Sequence, residues 1–195
     1  MTDTTNAQAV LDFWFAAHGE PEHGAVRDLW FRKSFDTDRQ INERFGPLIE
    51  QALRGELETW AAEPQTALAQ IILLDQFTRN SFRDTLRAFA GDKRALAAAM
   101  AMVGARHDEQ LLPVQRVFVY LPFEHAEGIV MQEEALRLFN RLVASAPELQ
   151  NMLDYAQRHH DVVKRFGRFP HRNAILGRHS TTDEIEFLKQ PGSRF

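Results

Sequence analysis

The sequence contains no cysteine among its 195 residues. This absence excludes disulfide bonds, thiolate-ligated zinc sites and cysteine nucleophiles. Long apolar runs are missing too, because the most apolar window, residues 67–74, is interrupted by Gln70 and is too short to span a bilayer. The N-terminus has neither the basic start nor the apolar stretch of a secretory signal. We therefore expect a soluble, cytoplasmic protein with no membrane association.

An excess of positive charge is also missing, since the formal net charge is -4. The field of such a molecule does not favour binding to nucleic acid or to an anionic membrane. Charged residues make up 26% and apolar residues 44% of the chain, which is the composition of a folded globular protein. The length predicts a single domain, residues 1–195, with a sizeable core.

Hairpin signals and alternating apolar patterns are absent, whereas helical spacing of apolar residues recurs along the whole chain. The fold class predicted is therefore all-α, with irregularly stacked antiparallel helix pairs. No tetratricopeptide signature recurs at a fixed period. The predicted helices cover residues 7–15, 36–54, 66–77, 93–103, 126–143 and 147–165, followed by a short helix after residue 181.

Several residues predict where these helices begin and end. Asp36 is expected to cap the second helix, and Gly55 to end it. Gly46-Pro47 should kink or break that helix, because proline removes a hydrogen bond and clashes with the preceding turn. Asp108 is predicted to cap a short helix before Pro113. Pro122 is predicted to end the preceding segment and Pro147 to be a first helical residue, and Thr181-Thr-Asp-Glu184 is predicted to form a capping box.

The segment Asp75-Gln-Phe-Thr-Arg-Asn80 places charged groups at the end of a helix that is apolar on all sides. Asp75 and Arg79 are four residues apart, so their side chains lie on one helix face and can pair. Buried charges must be paired or hydrogen-bonded. The cluster is therefore predicted to be either a rigid internal network or the floor of a pocket.

The segment Tyr120-Leu-Pro-Phe-Glu-His125-Ala-Glu127 leads into the long helix predicted from Ala126, with Glu124 and His125 near its start. Acidic side chains in a first helical turn complement the helix dipole, and this accounts for Glu124 and Glu127. It does not account for the neighbouring His125 and Tyr120.

The segment Arg165-Phe-Gly-Arg-Phe-Pro-His-Arg-Asn173 alternates guanidinium groups with aromatic rings. Between Lys164 and Arg178 there are five basic residues and no acidic one. Arginine offers a planar fork that suits carboxylate or phosphate, which favours a small anionic ligand. The alternative is that these arginines pair with buried carboxylates such as Asp75 and Glu124 and fasten the C-terminus to the helix layer. RNA binding is disfavoured by the acidic net charge.

Established catalytic and metal motifs are absent. There is no His-Glu-x-x-His, no paired Glu-x-x-His, no Gly-x-Ser-x-Gly elbow and no phosphate-binding glycine loop. His159-His160-Asp161 is dense, but successive residues of a helix cannot all face one ion. The sequence thus predicts no metal site and no cofactor, and assigns no catalytic residue. Acid–base chemistry by His125, His159 or His171 stays open, since histidine titrates near neutral pH.

Four motifs in order resemble one bacterial family. They are Leu11-Asp-Phe-Trp-Phe15, Leu73-Leu-Asp-Gln-Phe-Thr-Arg-Asn80, Tyr120-Leu-Pro-Phe-Glu-His125, and the 165–173 segment with Leu176-Gly-Arg178. The family is the domain-of-unknown-function family DUF924, and the similarity extends over essentially the whole chain. The resemblance implies a tetratricopeptide-like α-α superhelix and brings no activity, cofactor or catalytic residue. Thr78 and Ala126 stand where the family typically shows proline and serine.

We expect these motifs to converge on one polar cavity that binds a small anionic ligand, with Trp30, Phe77 and Tyr120 as its walls. The competing hypothesis is a non-enzymatic scaffold for peptides or proteins, in which the same polar residues are structural braces. The oligomeric state is not predicted. The candidate ligand-binding residues are Asp75, Arg79, Asn80, Tyr120, Glu124, His125, His159, Arg165, Arg168, His171, Arg172 and Asn173.

Overall fold

The computed structural model describes residues 3–193, and every regular element among them is helical. The all-α prediction is therefore confirmed. The chain packs as two compact units: unit 1 holds the described residues up to Arg83 together with Arg87–Pro122, and unit 2 holds Asp84–Leu86 and the residues from Phe123 onward. The assignment of the whole chain to a single domain stays a prediction. Within residues 3–193, no helix combines the length and apolar character needed to cross a membrane.

Unit 1 is built from α-helices joined by short 3₁₀ turns. Helix α1 packs against α3, α2 packs against α4, and α3 packs against α5. Between α3 and α4 the helix widens into a π-helical segment, Ile72–Phe77, which packs against α2 and α5. The helices are α1 (Asp3–Phe15), α2 (Phe35–Arg54), α3 (Pro64–Ile71), α4 (Thr78–Ser81), α5 (Asp92–Gly104) and α6 (Pro113–Glu124), whose last two residues belong to unit 2.

Aromatic rings fill the core of unit 1. The Trp14 ring meets Phe77 and Phe118 edge-on, with centroids 5.4 and 5.7 Å apart, and Trp30 lies 4.9 Å from Phe118. Such edge-to-face pairs stabilise a core by about 0.5–1.5 kcal/mol each beyond the area they bury. Trp30 and Phe77, which we expected to wall a pocket, are thus buried core residues, and Trp30 also donates its indole N–H to Trp14 O.

Helix α2 differs from its prediction in two places. Its N-cap is Ser34 rather than Asp36, with Ser34 Oγ accepting the N–H of Thr37. Pro47 lies inside the helix and does not break it. One face of α2 is buried on both sides of Pro47, and tertiary packing of this kind supplies most of a helix's stability. Gly55 ends the helix in the left-handed conformation, as predicted.

Helix α6 also continues through a proline. We expected Pro122 to end the segment and the long helix to start at Ala126, but α6 runs to Glu124 and the next helix begins at Ile129. Burial of residues 117–124 compensates for the hydrogen bond that Pro122 cannot make. Glu124 therefore lies at the C-terminal end of a helix and not in a first turn.

Unit 2 contains α7 (Ile129–Ser145), α8 (Gln150–Phe166) and α9 (Thr182–Leu188), and α7 packs against α8. Gly167 ends α8 in the left-handed conformation, and Phe169 is extended before Pro170. The Thr181–Glu184 capping box is confirmed. A small core of Val162, Val163, Phe166, Phe169 and Phe187 holds the 165–173 segment between α8 and α9.

Candidate functional site

The polar residues of unit 1 form an ion-pair network at the π-helical segment. Arg79 Nη1 lies 3.0 Å from Asp75 Oδ1 and 2.9 Å from Asp92 Oδ1, and it also donates to the carbonyl of Asp75 at 2.7 Å. Asp75 is 1% exposed. The Asp75–Arg79 pair predicted from the four-residue spacing is confirmed. Nothing in the sequence predicted that Asp92 also pairs with Arg79. Burial by itself would lower the pKa of Arg79, but the charges of Asp75 and Asp92 outweigh it and raise that pKa above its usual value.

Tyr120 and Asn80, two further candidates in unit 1, have separate partners. The buried Tyr120 hydroxyl donates to Asp108 Oδ2 at 2.6 Å and accepts hydrogen bonds from Arg116. Asp108 is thus the acceptor for Tyr120, and the prediction that it caps a helix is wrong. Asn80 Nδ2 donates to Asp38 Oδ1 at 2.7 Å.

In unit 2, two arginines of the 165–178 stretch form bidentate pairs with glutamates. Arg168 donates to both oxygens of Glu184, at 2.6 and 2.8 Å, and to the carbonyl of His179. Arg178 donates to both oxygens of Glu127, at 2.6 and 2.9 Å. The partners that we named from sequence for such arginines were Asp75 and Glu124, and for these two arginines that expectation is wrong. Spacing along the chain could not have revealed the pairing.

Asn173 and the main chain complete this arrangement, which we call the clasp (Glu127, Arg168, Asn173, Arg178 and Glu184). Asn173 Nδ2 donates to Ser180 Oγ and Glu184 Oε2, and its Oδ1 accepts from Arg178 Nε. The hydrogen bonds from Arg168, with a contribution from the N–H of Thr181, lower the pKa of Glu184 to about 2. Burial would raise the pKa of Glu127, but Arg178 and the N–H of Phe169 lower it overall.

Arg165 lies outside the clasp and is exposed. Its guanidinium stacks over the Phe166 ring at 4.6 Å and is 6.0 Å from the Phe187 ring. An exposed cation–π contact of this kind contributes about 0.5–1 kcal/mol. The contact fastens the end of α8 to α9.

A second group of unit 2 is the histidine cluster (Glu124, His125, His159, His171 and Arg172), three of whose side chains contact the buried ring of Phe169. The His159 and His171 rings lie 5.4 and 5.7 Å from that ring, and the Arg172 guanidinium stacks over it at 4.5 Å. His125 is next to His159, with ring centroids 6.2 Å apart, and its carbonyl accepts a hydrogen bond from Arg172 Nη1. Residues from the end of α6, from α8 and from the 165–173 segment thus meet at one place.

Glu124 is the buried carboxylate of this cluster, at 3% exposure. Its Oε1 is 2.9 Å from His159 Nδ1, and its Oε2 is buried without a hydrogen-bond partner. The negative end of the α6 dipole disfavours a carboxylate at this position. Gln132 of α7 donates to the carbonyls of Glu124 and Ala126, and so satisfies main-chain acceptors at the end of α6.

The proton positions on two imidazoles follow from their surroundings. His159 Nδ1 lies 2.9 Å from both Glu124 Oε1 and Tyr155 O, and because both are acceptors, Nδ1 carries a proton. When this imidazole is neutral, its lone pair is at Nε2. Burial, together with the positive charge of Arg172, lowers the pKa of His171 to about 3, so this ring is neutral at physiological pH.

This arrangement can accept and return a proton. A carboxylate that holds Nδ1–H of an imidazole fixes its tautomer and its orientation, which is how histidine is positioned in general acid–base sites. No three His, Asp or Glu side chains of residues 3–193 are placed to hold a metal ion together.

Comparison with known proteins gives a family and a related structure but no activity. None of the curated proteins matches the chain. A solved structure from Agrobacterium tumefaciens, that of the protein of unknown function ATU0120, is similar, with 37% sequence identity over 96% of this chain and 99% of that one and a TM-score of 0.84. The family model described as bacterial protein of unknown function, DUF924, matches residues 10–192. The chain therefore belongs to the DUF924 family.

Proposed function

We propose that the histidine cluster of unit 2 binds a small anionic ligand, a carboxylate or a phosphate, and that Glu124 and His159 exchange a proton with it. The observation that carries this proposal is the convergence of Glu124, His125, His159, His171 and Arg172 around Phe169, with one Glu124 oxygen buried and unbonded. Buried polar atoms without partners are rare in folded proteins, and perturbed groups gather at functional sites.

The cluster holds one guanidinium, Arg172, and one carboxylate, Glu124, and the proposed anion meets the guanidinium. Arg172 is 6% exposed and its positive charge acts on His171 strongly enough to help keep that imidazole neutral. A bound anion would offset this charge in a region of low dielectric, where such interactions are stronger than in water. Neutral His171 carries one ring N–H, a donor of the kind that carboxylate or phosphate oxygens accept. The Nδ1–H of His159, in contrast, is already held by Glu124 and Tyr155.

The clasp does not require these histidines. Arg168 and Arg178 already hold the 165–178 stretch through Glu184 and Glu127. A purely structural role explains the clasp, but it does not explain why Glu124 and His159 are buried together. For this reason we place the ligand at the histidine cluster and give Arg168, Asn173 and Arg178 a structural role.

A scaffold for peptides is the second candidate. The observation in its favour is that α7 and α8 expose Ile129, Val130 and Tyr155, at 39%, 64% and 50%. Exposed apolar side chains on paired helices suit an extended or helical peptide. This candidate also agrees with the tetratricopeptide-like superhelix that the family resemblance implies. For either function, we propose a soluble protein of the bacterial cytoplasm.

A thermal-shift titration with inorganic phosphate, acetate and citrate tests the proposal. A ligand of the folded state stabilises it by mass action, so at least one of these anions should raise the melting temperature in a saturable manner. The shift should vanish in Arg172→Ala and persist in Arg168→Ala, the matched control that removes a guanidinium of the clasp. His171→Gln replaces Arg172→Ala if that variant does not fold.

Two results would contradict the ligand site. One is the absence of any saturable shift across the three anions. The other is a shift that persists unchanged in both Arg172→Ala and His171→Gln. In either case the scaffold function is the better account of unit 2.

A further inference from the structure

Unit 1 contains a groove of about 480 Å³ that involves neither the ion-pair network of Asp75 nor the core. It lies where the first turns of α2 face the end of α4. Because a π turn holds more residues than an α turn, the π-helical segment before α4 rotates Asn80 and Ser81 about the helix axis relative to an uninterrupted α-helix. The groove is lined by Lys33, Phe35, Asp38, Arg39, Asn42, Glu43, Asn80, Ser81 and Arg83.

Most of the charges of the groove are already paired. Arg83 forms a bidentate pair with Asp38, at 2.9 and 3.1 Å, and Arg39 pairs with Asp36 and Glu43. Lys33 is the exception, because it is exposed and makes no ion pair with any residue of the described part of the chain. An ammonium group at the edge of a groove whose other charges are neutralised favours an anionic group on the occupant.

Two uncharged side chains of the groove indicate which other chemical groups the ligand carries. Phe35 exposes 84% of its surface at the rim, although a phenylalanine ring is ordinarily buried. Ser81 lines the groove, and its Oγ is shielded from solvent with no hydrogen-bond partner in the protein. An apolar, flat group can stack on Phe35, and a hydrogen-bonding atom of the ligand can satisfy Ser81.

We propose that this groove binds a small aromatic carboxylate. In this arrangement the ring of the ligand lies on Phe35, its carboxylate meets the Lys33 ammonium, and a carboxylate oxygen accepts the hydrogen bond of Ser81. The site is independent of the histidine cluster, since all of its residues belong to unit 1 and all those of the cluster belong to unit 2.

The test is an amide NMR titration with phenylacetate as the probe. Acetate, which lacks the ring, and 2-phenylethanol, which lacks the charge, are titrated in parallel. We expect saturable shifts from phenylacetate that are largest in residues 33–43 and 80–83, and at least tenfold weaker binding of both comparison compounds. Phe35→Ser and Lys33→Gln should each weaken phenylacetate binding about tenfold, and Ser81→Ala several-fold.

Phe31→Ser and Arg32→Gln are the matched controls. Both residues are exposed, stand next to the groove residues in sequence, and do not line the groove. They should leave the affinity unchanged. The proposal is overturned if phenylacetate produces no saturable shifts at these residues, if acetate or 2-phenylethanol binds equally well, or if the controls weaken binding as much as Phe35→Ser does.

Discussion

Two buried polar clusters, the ion-pair network in unit 1 and the histidine cluster in unit 2, differ in how their carboxylates are satisfied. In unit 1, Asp75 faces the guanidinium of Arg79, and Asp92 shares it. In unit 2, Glu124 faces an imidazole with one oxygen and has no hydrogen-bond partner for the other. A carboxylate held by a guanidinium is typical of a structural ion pair, whereas a buried carboxylate oxygen without a partner can accept a hydrogen bond from a ligand. Substitutions in each cluster test this difference.

Asp75→Asn should give the largest loss of stability. The substitution removes the negative charge of Asp75 that faces the Arg79 guanidinium. Breaking a buried ion pair destabilises a protein by about 3–5 kcal/mol. Urea unfolding followed by circular dichroism measures the loss. Asp92→Asn is the control, because the Asp92 side chain is 25% exposed and its loss should be clearly smaller. Equal, small losses in both variants would show that Asp75 is not a brace.

Gly91→Ala should destabilise the same region nearly as much. A Cβ at Gly91 would lie 2.1 Å from the carbonyl oxygen of Leu74, a main-chain atom of the π-helical segment that cannot move aside. Overpacking of this kind costs about 3 kcal/mol. Gly104→Ala, in the last position of α5, meets nothing within 4 Å and should be neutral or slightly stabilising. Comparable midpoints for the two variants in thermal unfolding would contradict the close approach.

The clasp should make stability depend on pH through Glu184. Because its folded pKa of about 2 is below the ordinary value of 4.5, the stabilisation is fully present above about pH 4.5 and is lost as the pH falls towards 2. The shift corresponds to at most about 3 kcal/mol. Urea unfolding of the protein and of Glu184→Gln should differ most at pH 7 and progressively less at lower pH. A difference that is equal at pH 7 and pH 3 would refute the ionic role.

Glu124→Gln should have the smallest effect on stability, within about 1 kcal/mol of the unsubstituted protein. The amide fills the same space and removes a buried charge that the end of α6 disfavours. The same substitution should weaken the thermal shift caused by the anion identified at the histidine cluster. A loss of stability as large as that of Asp75→Asn would make Glu124 a brace and remove the difference between the two clusters.

The fold could be predicted from local chemistry to a large extent. Gly55 ends α2 and the Thr181–Glu184 capping box begins α9, both as expected. Capping depends on residues close in sequence, so the sequence alone predicts it. The expected end of a helix at Pro122 and a break at Pro47 are wrong for one reason. Both prolines lie in helices with a buried face, and the packing of that face outweighs the missing hydrogen bond.

The site could be predicted only in part. The sequence predicted the Asp75–Arg79 pair from the spacing alone. It did not reveal Glu184 and Glu127 as the partners of Arg168 and Arg178, because those pairs join residues up to 51 positions apart. The position of Glu124 at the end of α6 was missed with the helix boundary. That boundary is what distinguishes a dipole-stabilised glutamate from a disfavoured one.

Imidazole NMR of His171 tests the central claim, a buried anion site in unit 2, most directly. At pH 5 in the absence of an anion, we expect a neutral His171, because its pKa is about 3 instead of the ordinary 6.5. Saturating inorganic phosphate should raise that pKa by about one unit or more, since the bound charge offsets Arg172. A His171 that titrates near 6.5 and does not respond to phosphate, acetate or citrate would contradict the account.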